Sequence, residues 1–218
     1  MEITLAEEIT LLCLEDESGA ARQRQSVGWA VAGGLLVELV LAERIAVSGK
    51  HLELTSTEPT GDALLDARLA ALETWLRGRR RRVTDWLTRE HSRAVTATLE
   101  SLTARGLVVE ERHKVLGLFP VRRYPEADGT VERALRARLD SVVLGDAEPD
   151  ERTAALVALI HSAKLHRLAF PGRRPAELRA RTGEIAAGEW AAAAVRAAIR
   201  DVQVAMLAAT AASAAAVS

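Results

Sequence analysis

The chain has 218 residues, of which 49% are hydrophobic, so it is long enough to bury a sizeable core. Its formal net charge of −1 at pH 7 excludes a global polyanion-binding character. The single cysteine, Cys13, excludes an internal disulfide and a cysteine-based zinc site. No linker rich in glycine, serine or proline divides the sequence, so we predict one domain over residues 1–218.

An apolar stretch from Val27 to Leu41 is the centre of the predicted fold. It is apolar on nearly all sides, which is typical of a helix buried among other helices. The pair Gly33–Gly34 lowers its helix propensity, and close approach of neighbouring helices is the expected compensation. A short amphipathic helix from Leu5 to Leu14, capped by Thr4, comes before it. Ala20–Ser26 is interpreted as a polar lead-in.

Helical patterns dominate the rest of the chain. Brief alternating runs at Ile45–Val47 and Leu52–Leu54 predict a small hairpin around Ser48–Gly49–Lys50. Periodic apolar residues predict further helices at Asp62–Leu76, Val83–Leu87, Arg89–Arg105, Thr130–Leu144, Asp150–Leu168 and Ala176–Met206. The last of these is expected to break near Gly183 or Gly188, and the alanine-rich tail from about residue 207 to 218 is expected to fray.

Two further strands are predicted at Leu107–Val109 and Val115–Phe119, with Glu110–Lys114 turning between them. This hairpin has two interpretations: a wing that lies on DNA together with Arg89 and Arg93, or an apolar-tipped hairpin that meets a membrane or a sister subunit. The charge-balanced turn disfavours the DNA wing. The fold class is therefore mostly α, a single globular helical domain around a buried central helix with one or two small β-hairpins.

Enzyme signatures are absent from the sequence. It has no paired metal-ligand spacing, no Gly-x-Ser-x-Gly elbow and no phosphate-binding P-loop. His161 and His166 are five residues apart in a helical stretch, so we do not expect them to share a face. The phrase Pro59–Thr60–Gly61–Asp62 is interpreted as a turn and a helix cap. We therefore predict that the protein is not an enzyme and has neither a metal nor a cofactor.

A run of four arginines is the strongest charge feature. It is either a solvated loop that pairs with acidic stretches, or a contact for the phosphates of lipid headgroups or nucleic acid. At an anionic membrane surface each basic residue contributes about 1 kcal/mol. Trp75 and Trp86 flank the run, and tryptophan favours the membrane–water interface, although burial in the core explains them equally well. The four residues are Arg79, Arg80, Arg81 and Arg82.

Five phrases occur in a familiar order. They are Leu5–Ala6–Glu7–Glu8, Glu38–Leu39–Val40–Leu41, Pro59–Thr60–Gly61–Asp62–Ala63–Leu64–Leu65–Asp66, Leu116–Gly117–Leu118–Phe119–Pro120 and Arg123–Tyr124–Pro125. In this order they resemble the Golgi phosphoprotein 3 family, and its bacterial branch most closely. The third phrase is the most specific, and the resemblance covers roughly residues 3 to 205.

The resemblance implies a mostly helical domain with a central buried helix and a protruding hairpin. Eukaryotic members bind phosphatidylinositol 4-phosphate at membranes and act as adaptors that retain glycosyltransferases in the Golgi. Their lipid pocket uses a tryptophan and three basic residues, whose positions here carry Gln23, Ala32, Ser92 and Val95. The family pocket is therefore not preserved, and a shifted pocket would use the nearby residues Arg24, Trp29, Arg89 and Arg93.

We accordingly expect a non-enzymatic, cytoplasmic, peripheral membrane protein that binds anionic lipid headgroups, including phosphatidylinositol 4-phosphate, as an adaptor. No run of the sequence is apolar enough to predict a membrane span. Expected partners also include membrane-protein clients and a homo-oligomer formed through the hairpin, but not nucleic acid. The alternative is a winged-helix-like nucleic-acid or protein-interaction module without lipid binding. The candidate lipid-binding residues are Arg24, Trp29, Arg79, Arg80, Arg81, Arg82, Arg89 and Arg93.

Overall fold

The computed structural model describes residues 3–14, 21–115, 119–123, 127, 129–188 and 193–215. Over these ranges the chain is mostly helical, so the predicted fold class is confirmed. The helices are α1 Leu5–Cys13, α2 Ala21–Leu41, α3 Ala63–Leu76, α4 Val83–Ala104, α5 Thr130–Val143, α6 Glu151–Ala163, α7 His166–Ala169, α8 Pro175–Ala187 and α9 Ala193–Ala215. The strands are β1 Ile45–Ser48, β2 His51–Leu54, β3 Arg81–Arg82, β4 Glu111–Val115 and β5 Phe119–Arg123.

Two small antiparallel sheets accompany the helices. In the first, β2 lies between β1 and β3, and in the second, β4 pairs with β5. The first hairpin has Ile45 opposite Leu54 and Ser48 opposite His51, in agreement with the predicted turn. Ile45 and Leu52 point into the main core, so this sheet lies against the helices rather than standing apart from them.

Helix α2 is the centre of the molecule and is enclosed on four sides. It packs against α1, α4, α6 and α9, and both α1 and α9 also contact α4 and α6. This arrangement places α4 and α6 on opposite sides of α2, with α1 and α9 closing the two remaining sides. Residues 28–40 are buried without exception. A helix that is apolar all round thus has a neighbour on every side.

Three glycines of α2 lie where other helices approach it: Gly28, Gly33 and Gly34. A Cβ atom at Gly28 would lie 2.9 Å from the carbonyl oxygen of His91 in α4, and one at Gly33 would lie 2.8 Å from the sulfur of Met206 in α9. At Gly34 it would lie 3.0 Å from the backbone nitrogen of Ala6 in α1. The predicted close approach at Gly33–Gly34 is therefore confirmed.

The Gly28→Ala variant tests the contact between α2 and α4. Alanine has a higher helix propensity than glycine by about 1 kcal/mol, so propensity alone predicts a more stable protein. The added Cβ, however, meets a backbone oxygen at a distance that such atoms do not tolerate. We expect urea denaturation to give a free energy of unfolding about 1–3 kcal/mol lower than wild type. An increase would contradict the close packing of these helices.

Ion pairs between buried carboxylates and arginines hold α1 in place. Glu7 and Glu8 of α1 and Glu38 of α2 are buried. Each forms an ion pair with a different arginine: Glu7 with Arg105 at 2.7 Å, Glu8 with Arg138 at 2.9 Å and Glu38 with Arg152 at 2.7 Å. Thr4 and Glu7 also form the predicted capping box at the start of α1. The N-terminal helix is consequently fixed to α4, α5 and α6 by charge as well as by packing.

Several predicted boundaries are wrong. Ala20–Ser26 was predicted to be a polar lead-in to the apolar helix. In the structure α2 already begins at Ala21, so residues 21–26 form its first turns. The helices predicted at Val83–Leu87 and Arg89–Arg105 are one continuous helix, α4, because no residue between them interrupts the backbone hydrogen bonds. Helix α9 extends to Ala215, whereas the last helix was predicted to end near Met206.

The second hairpin lies further along the chain than predicted. Glu110–Lys114 was interpreted as a turn, but Glu111–Val115 forms β4 and pairs with Phe119–Arg123. The charged side chains conceal a strand whose stability comes from its pairing with β5. Residues 116–118 and the side chains of both strands, apart from that of Glu111, lie outside the described residues. The oligomer contact predicted through this hairpin therefore stays a prediction.

The stretch predicted as one helix from Asp150 to Leu168 is two helices. Lys164 adopts a left-handed conformation (φ 58°) and ends α6, and α7 starts at His166. The break predicted near Gly188 is confirmed, since α8 ends at Ala187. Among the described residues, no helix combines the length and the apolar character needed to cross a bilayer.

Candidate anion-binding face

Strand pairing brings basic residues from two distant segments together. In the register of β2 and β3, His51 lies opposite Arg82 and Leu52 lies opposite Arg81. The backbone N–H of Val83 donates to the carbonyl oxygen of Lys50 at 3.0 Å, which continues the contact past the end of β3. Lys50 and His51 were not predicted to join the arginine run.

The sequence suggested that the arginine run is a single solvated loop. In the structure it is divided between two elements. Its second half forms the edge strand β3, while Arg79 and Arg80 lie in the connection after α3. Arg80 is 3.3 Å from a carboxylate oxygen of Glu53 on β2. Arg79 and Arg82 are exposed, and neither forms an ion pair with another described residue. The run therefore contains both a paired arginine and arginines that are available to an external anion.

Arg81 lies over an aromatic pair. Its guanidinium carbon is 4.7 Å from the ring centroid of Trp75, a distance typical of cation–π contacts. The rings of Trp75 and Trp86 are 5.3 Å apart and tilted by 55°. Trp86 is buried and Trp75 is half-buried. Core packing accounts for Trp86, whereas Trp75 forms a platform that orients Arg81.

Helix α4 extends the basic surface away from β3. Arg82 is the N-cap residue of this helix, and Arg89 and Arg93 follow at spacings of seven and eleven residues. These spacings are close to two and three helical turns, so the three residues lie along one face over about 16 Å. Both Arg89 and Arg93 are exposed, as is Asp85, the acidic residue on this side of the helix.

A buried carboxylate organises the middle of this face. The side chain of Glu90 is 4% exposed and contacts three guanidinium groups. Oε2 lies 3.2 Å from Arg68 of α3, and Oε1 lies 3.2 Å from Arg89 and 3.3 Å from Arg93. One carboxylate thus faces three positive charges, so an excess of positive charge remains. Sequence reasoning missed both Arg68 and Glu90.

A groove between α3 and α4 opens beside this cluster. Its volume is about 370 Å³, and it is shallow and largely open to solvent. Its lining includes guanidinium groups, hydroxyl groups and one carboxylate, from Arg68, Ser92, Arg93, Thr96, Ala97 and Glu100. Guanidinium and hydroxyl donors are the groups that bind phosphate oxygens. The groove can therefore accept an anion at its Arg68–Arg93 end, while Glu100 makes the other end less favourable.

The remaining predicted pocket residues are placed differently. Trp29 is 2% exposed and stacks on His91 of α4, with ring centroids 4.7 Å apart. Its indole nitrogen has no hydrogen-bond partner among the described residues. The side chain of Arg24 lies outside them, as does that of Gln23. Trp29 therefore belongs to the α2–α4 contact, not to the exposed surface.

The other family pocket positions do not supply charge. Ala32 is buried inside α2, Val95 is half-buried and Ser92 is exposed in the groove. Ser92 lies one residue before Arg93, so the family position and the groove overlap at this point. Any anion bound here would depend on Arg68 and Arg93 instead of on the positions that the family uses.

The segment Pro59–Thr60–Gly61–Asp62 is a turn and a cap, as predicted. Asp62 accepts from the backbone N–H of Leu65 at 3.0 Å and begins α3. Thr60 donates its backbone N–H and its hydroxyl to Asp66, at 2.6 and 2.7 Å. Burial opposes ionisation of Asp66, but the hydrogen bonds from Thr60 outweigh it and lower its pKa. These residues hold the start of α3 together and are not arranged as a catalytic site.

The two histidines that were expected to be apart lie together. The break at Lys164 turns the chain, so both His161 and His166 reach the hydroxyl oxygen of Thr182 in α8, at 2.9 and 3.1 Å. That hydroxyl donates to the carbonyl oxygen of Leu178, so the facing ring nitrogens both carry hydrogen. Burial, followed by the charges of His161 and Arg179, lowers the pKa of His166 to about 4. With the histidine rings neutral, these hydrogen bonds link α6, α7 and α8.

The fold places the protein in a class of mostly helical domains that are built around one enclosed helix, here with exposed arginines along α4. A family model described as Golgi phosphoprotein 3 (GPP34) matches residues 5–202. The match covers most of the chain, so this protein belongs to the Golgi phosphoprotein 3 family. The resemblance inferred from the five sequence phrases is confirmed.

Proposed function

We propose that this protein is a non-enzymatic adaptor that associates with the cytoplasmic surface of a membrane by binding anionic lipid headgroups. Membership of the Golgi phosphoprotein 3 family fits an adaptor role. The observation that carries the proposal is the clustering of basic residues from three segments on one side of α4. We call this surface the α4 basic face: Lys50, Arg79, Arg82, Arg89 and Arg93.

The α4 basic face suits a planar anionic surface. Its five residues are exposed, and they come from the β1–β2 turn, the connection after α3, the N-cap of α4 and the outer side of α4. Basic residues near an anionic membrane contribute about 1 kcal/mol each, and salt screens this attraction. Several such contacts on one face give useful affinity, which oligomerisation would increase further by avidity.

The groove beside Glu90 supplies a place for a single headgroup. Arg68 and Arg93 flank it, and the hydroxyl groups of Ser92 and Thr96 lie along its wall. A phosphomonoester, such as that of phosphatidylinositol 4-phosphate, is a ligand whose charge and oxygen atoms match these donors. We infer that the lipid-binding role of the family is carried in this chain by the groove and the α4 basic face together.

Vesicle co-sedimentation tests this proposal. Neutral vesicles, vesicles with generic anionic lipid and vesicles with phosphatidylinositol 4-phosphate are each mixed with wild type, Arg79→Ser/Arg82→Ser and Arg68→Ser/Arg93→Ser. We expect binding to both anionic vesicles and none to neutral ones. Arg79→Ser/Arg82→Ser is expected to weaken binding to both by about 10–100-fold, because it removes two unpaired charges. Arg68→Ser/Arg93→Ser is expected to remove the preference for the phosphoinositide.

A matched control removes two arginines elsewhere. Arg173→Ser/Arg174→Ser takes away the same charge before α8, and its vesicle binding is expected to equal that of wild type. Equal loss in the control and in Arg79→Ser/Arg82→Ser would mean that only net charge matters. If wild type binds no anionic vesicle but binds duplex DNA with a steep salt dependence, the alternative of a nucleic-acid module is correct.

A further inference from the structure

A second group of exposed cations lies at the other side of the molecule. The group consists of five residues between positions 164 and 179, a stretch of the sequence in which Glu177 is the only carboxylate. They come from the C-cap of α6, from α7, from the loop before α8 and from α8 itself. We call this cluster the α8 basic end: Lys164, Arg167, Arg173, Arg174 and Arg179.

The charges of the α8 basic end are available to a partner. All five residues are exposed, and none of them forms an ion pair with another described residue. The neighbouring Arg181 differs, since it lies 3.8 Å from Glu184 and also reaches the carbonyl oxygen of Val142. Like charges held close together repel one another, so an anion that joins them is favoured.

The backbone that carries this cluster is well fixed. Arg136 of α5 donates to the carbonyl oxygens of Leu168 and Ala169, both at 2.9 Å. The N–H of Arg173 bonds to the carbonyl oxygen of Phe170, and the Thr182 hydroxyl joins α8 to α6 and α7. A partner would therefore meet cations that are already positioned, which lowers the entropy lost on binding.

The α8 basic end faces away from the α4 basic face. Helices α4 and α6 lie on opposite sides of α2, and α8 packs on α6, α5 and α7. From these contacts we infer that a flat bilayer on the outer side of α4 would have the helical core between it and α8. The orientation of the α8 basic end toward solution rests on the proposed function, whereas its charge does not.

The chemistry of the α8 basic end favours a protein partner over a membrane. Among the large apolar side chains of its segment, Leu165, Phe170 and Leu178 are buried and Leu168 is half-buried. No aromatic side chain accompanies the cations at the surface, whereas the half-buried Trp75 lies beside the arginine run of the α4 basic face. Membrane-surface segments normally combine basic residues with apolar or aromatic side chains that enter the interface. Arginines without such an anchor bind carboxylates well, since each guanidinium group can take one in a two-point contact.

We propose that the α8 basic end is a docking surface for an acidic segment of a partner protein. With the α4 basic face on a membrane, this surface would point into solution and receive an aspartate- and glutamate-rich stretch. The protein would then hold a soluble acidic partner on one side and lipid on the other. Such a two-sided arrangement gives the adaptor role a specific second site.

Fluorescence anisotropy with a labelled dodecapeptide of glutamate tests the docking surface on the full chain. We expect binding at low salt that weakens at physiological salt, as charge screening requires. Arg173→Ser/Arg174→Ser is expected to weaken peptide binding by about tenfold, because two charge-assisted contacts are lost. Arg79→Ser/Arg82→Ser removes the same charge from the α4 basic face and is expected to weaken peptide binding clearly less than Arg173→Ser/Arg174→Ser does.

The same proteins on anionic vesicles separate this inference from the proposed function. A peptide that fails to bind at low salt, or that is weakened equally by both double variants, overturns the docking surface whatever the vesicles do. So does vesicle binding that depends on Arg173 and Arg174, since the α8 basic end would then be a membrane contact. Stronger binding of duplex DNA than of the peptide overturns it too. Arg167→Ser on α7 is a second variant if the first does not fold, as circular dichroism would reveal.

Discussion

Leucine in place of Glu7 is expected to lower the free energy of unfolding by about 3–5 kcal/mol. Glu7 is fully buried and accepts from the backbone N–H of Thr4 at 2.8 Å, the hydroxyl of Ser101 at 2.8 Å and Arg105 at 2.7 Å. Without the carboxylate, the largely buried Arg105 loses its 2.7 Å ion pair, and its contact with Asp62 at 3.9 Å is longer. The N-terminal capping box of α1 is lost as well.

Urea denaturation of three further proteins isolates the reason for this loss. Glu73→Leu changes an exposed glutamate of α3 and is expected to alter stability by less than about 0.5 kcal/mol. The double variant Glu7→Leu/Arg105→Leu is expected to be more stable than the sum of the two single variants predicts, because it removes both members of the 2.7 Å ion pair together. Simple additivity of Glu7→Leu and Arg105→Leu would mean that the two side chains are not coupled.

Acid is expected to destabilise the protein through His166 before most carboxylates titrate. Its folded pKa of about 4 lies below its ordinary value of 6.5, so the folded state holds the neutral ring. As the pH falls below 6.5, the unfolded chain gains a proton that the folded chain does not accept until about pH 4. The stabilisation is complete above pH 6.5, decreases between 6.5 and 4, and amounts to about 3 kcal/mol.

The variant His166→Gln separates this effect from other titrations. Between pH 7 and 4.5, its free energy of unfolding is expected to fall less steeply than that of wild type, while both are measured by urea denaturation. Shifted groups away from His166 cancel in this comparison: burial raises the pKa of Glu8, and the pKa values of Asp66 and Asp150 are lowered. Burial also lowers the pKa of His161, which shares the Thr182 hydroxyl with His166, so the difference between the curves reports on the histidine pair. Parallel curves for the two proteins would show that His166 does not couple folding to pH.

The helical framework was largely predictable because its signals are local. The apolar stretch of α2, the periodic leucines of α3 and the Thr4–Glu7 capping box each act within a few residues. Apolar periodicity and caps therefore located most helices to within a turn. The strand β4 was missed for the opposite reason: Glu111–Val115 has little apolar alternation, and its pairing with β5 decides its structure.

The candidate sites were predicted only in part, because they depend on contacts between distant segments. Arg89 and Arg93 were found from their charge, but Arg68 and Glu90 are 22 residues apart and meet only when α3 packs on α4. Strand pairing puts His51 opposite Arg82, and Lys50 accepts from the backbone N–H of Val83. The histidine cluster required a left-handed residue at Lys164, a conformation that lysine rarely adopts and that its sequence does not indicate.

Enclosure of α2 has a consequence for synthesis on the ribosome. Helix α9, which closes one side of α2, is the last helix in the sequence, and its Met206 packs against Gly33. At bacterial or eukaryotic elongation rates, the interval between translation of Leu41 and Met206 is on the order of 10–30 s. During that interval the nascent chain carries an apolar helix that is open along one side. Folding of this domain therefore finishes only after translation of its last helix, and products that end earlier expose the centre of the core to chaperones and proteases.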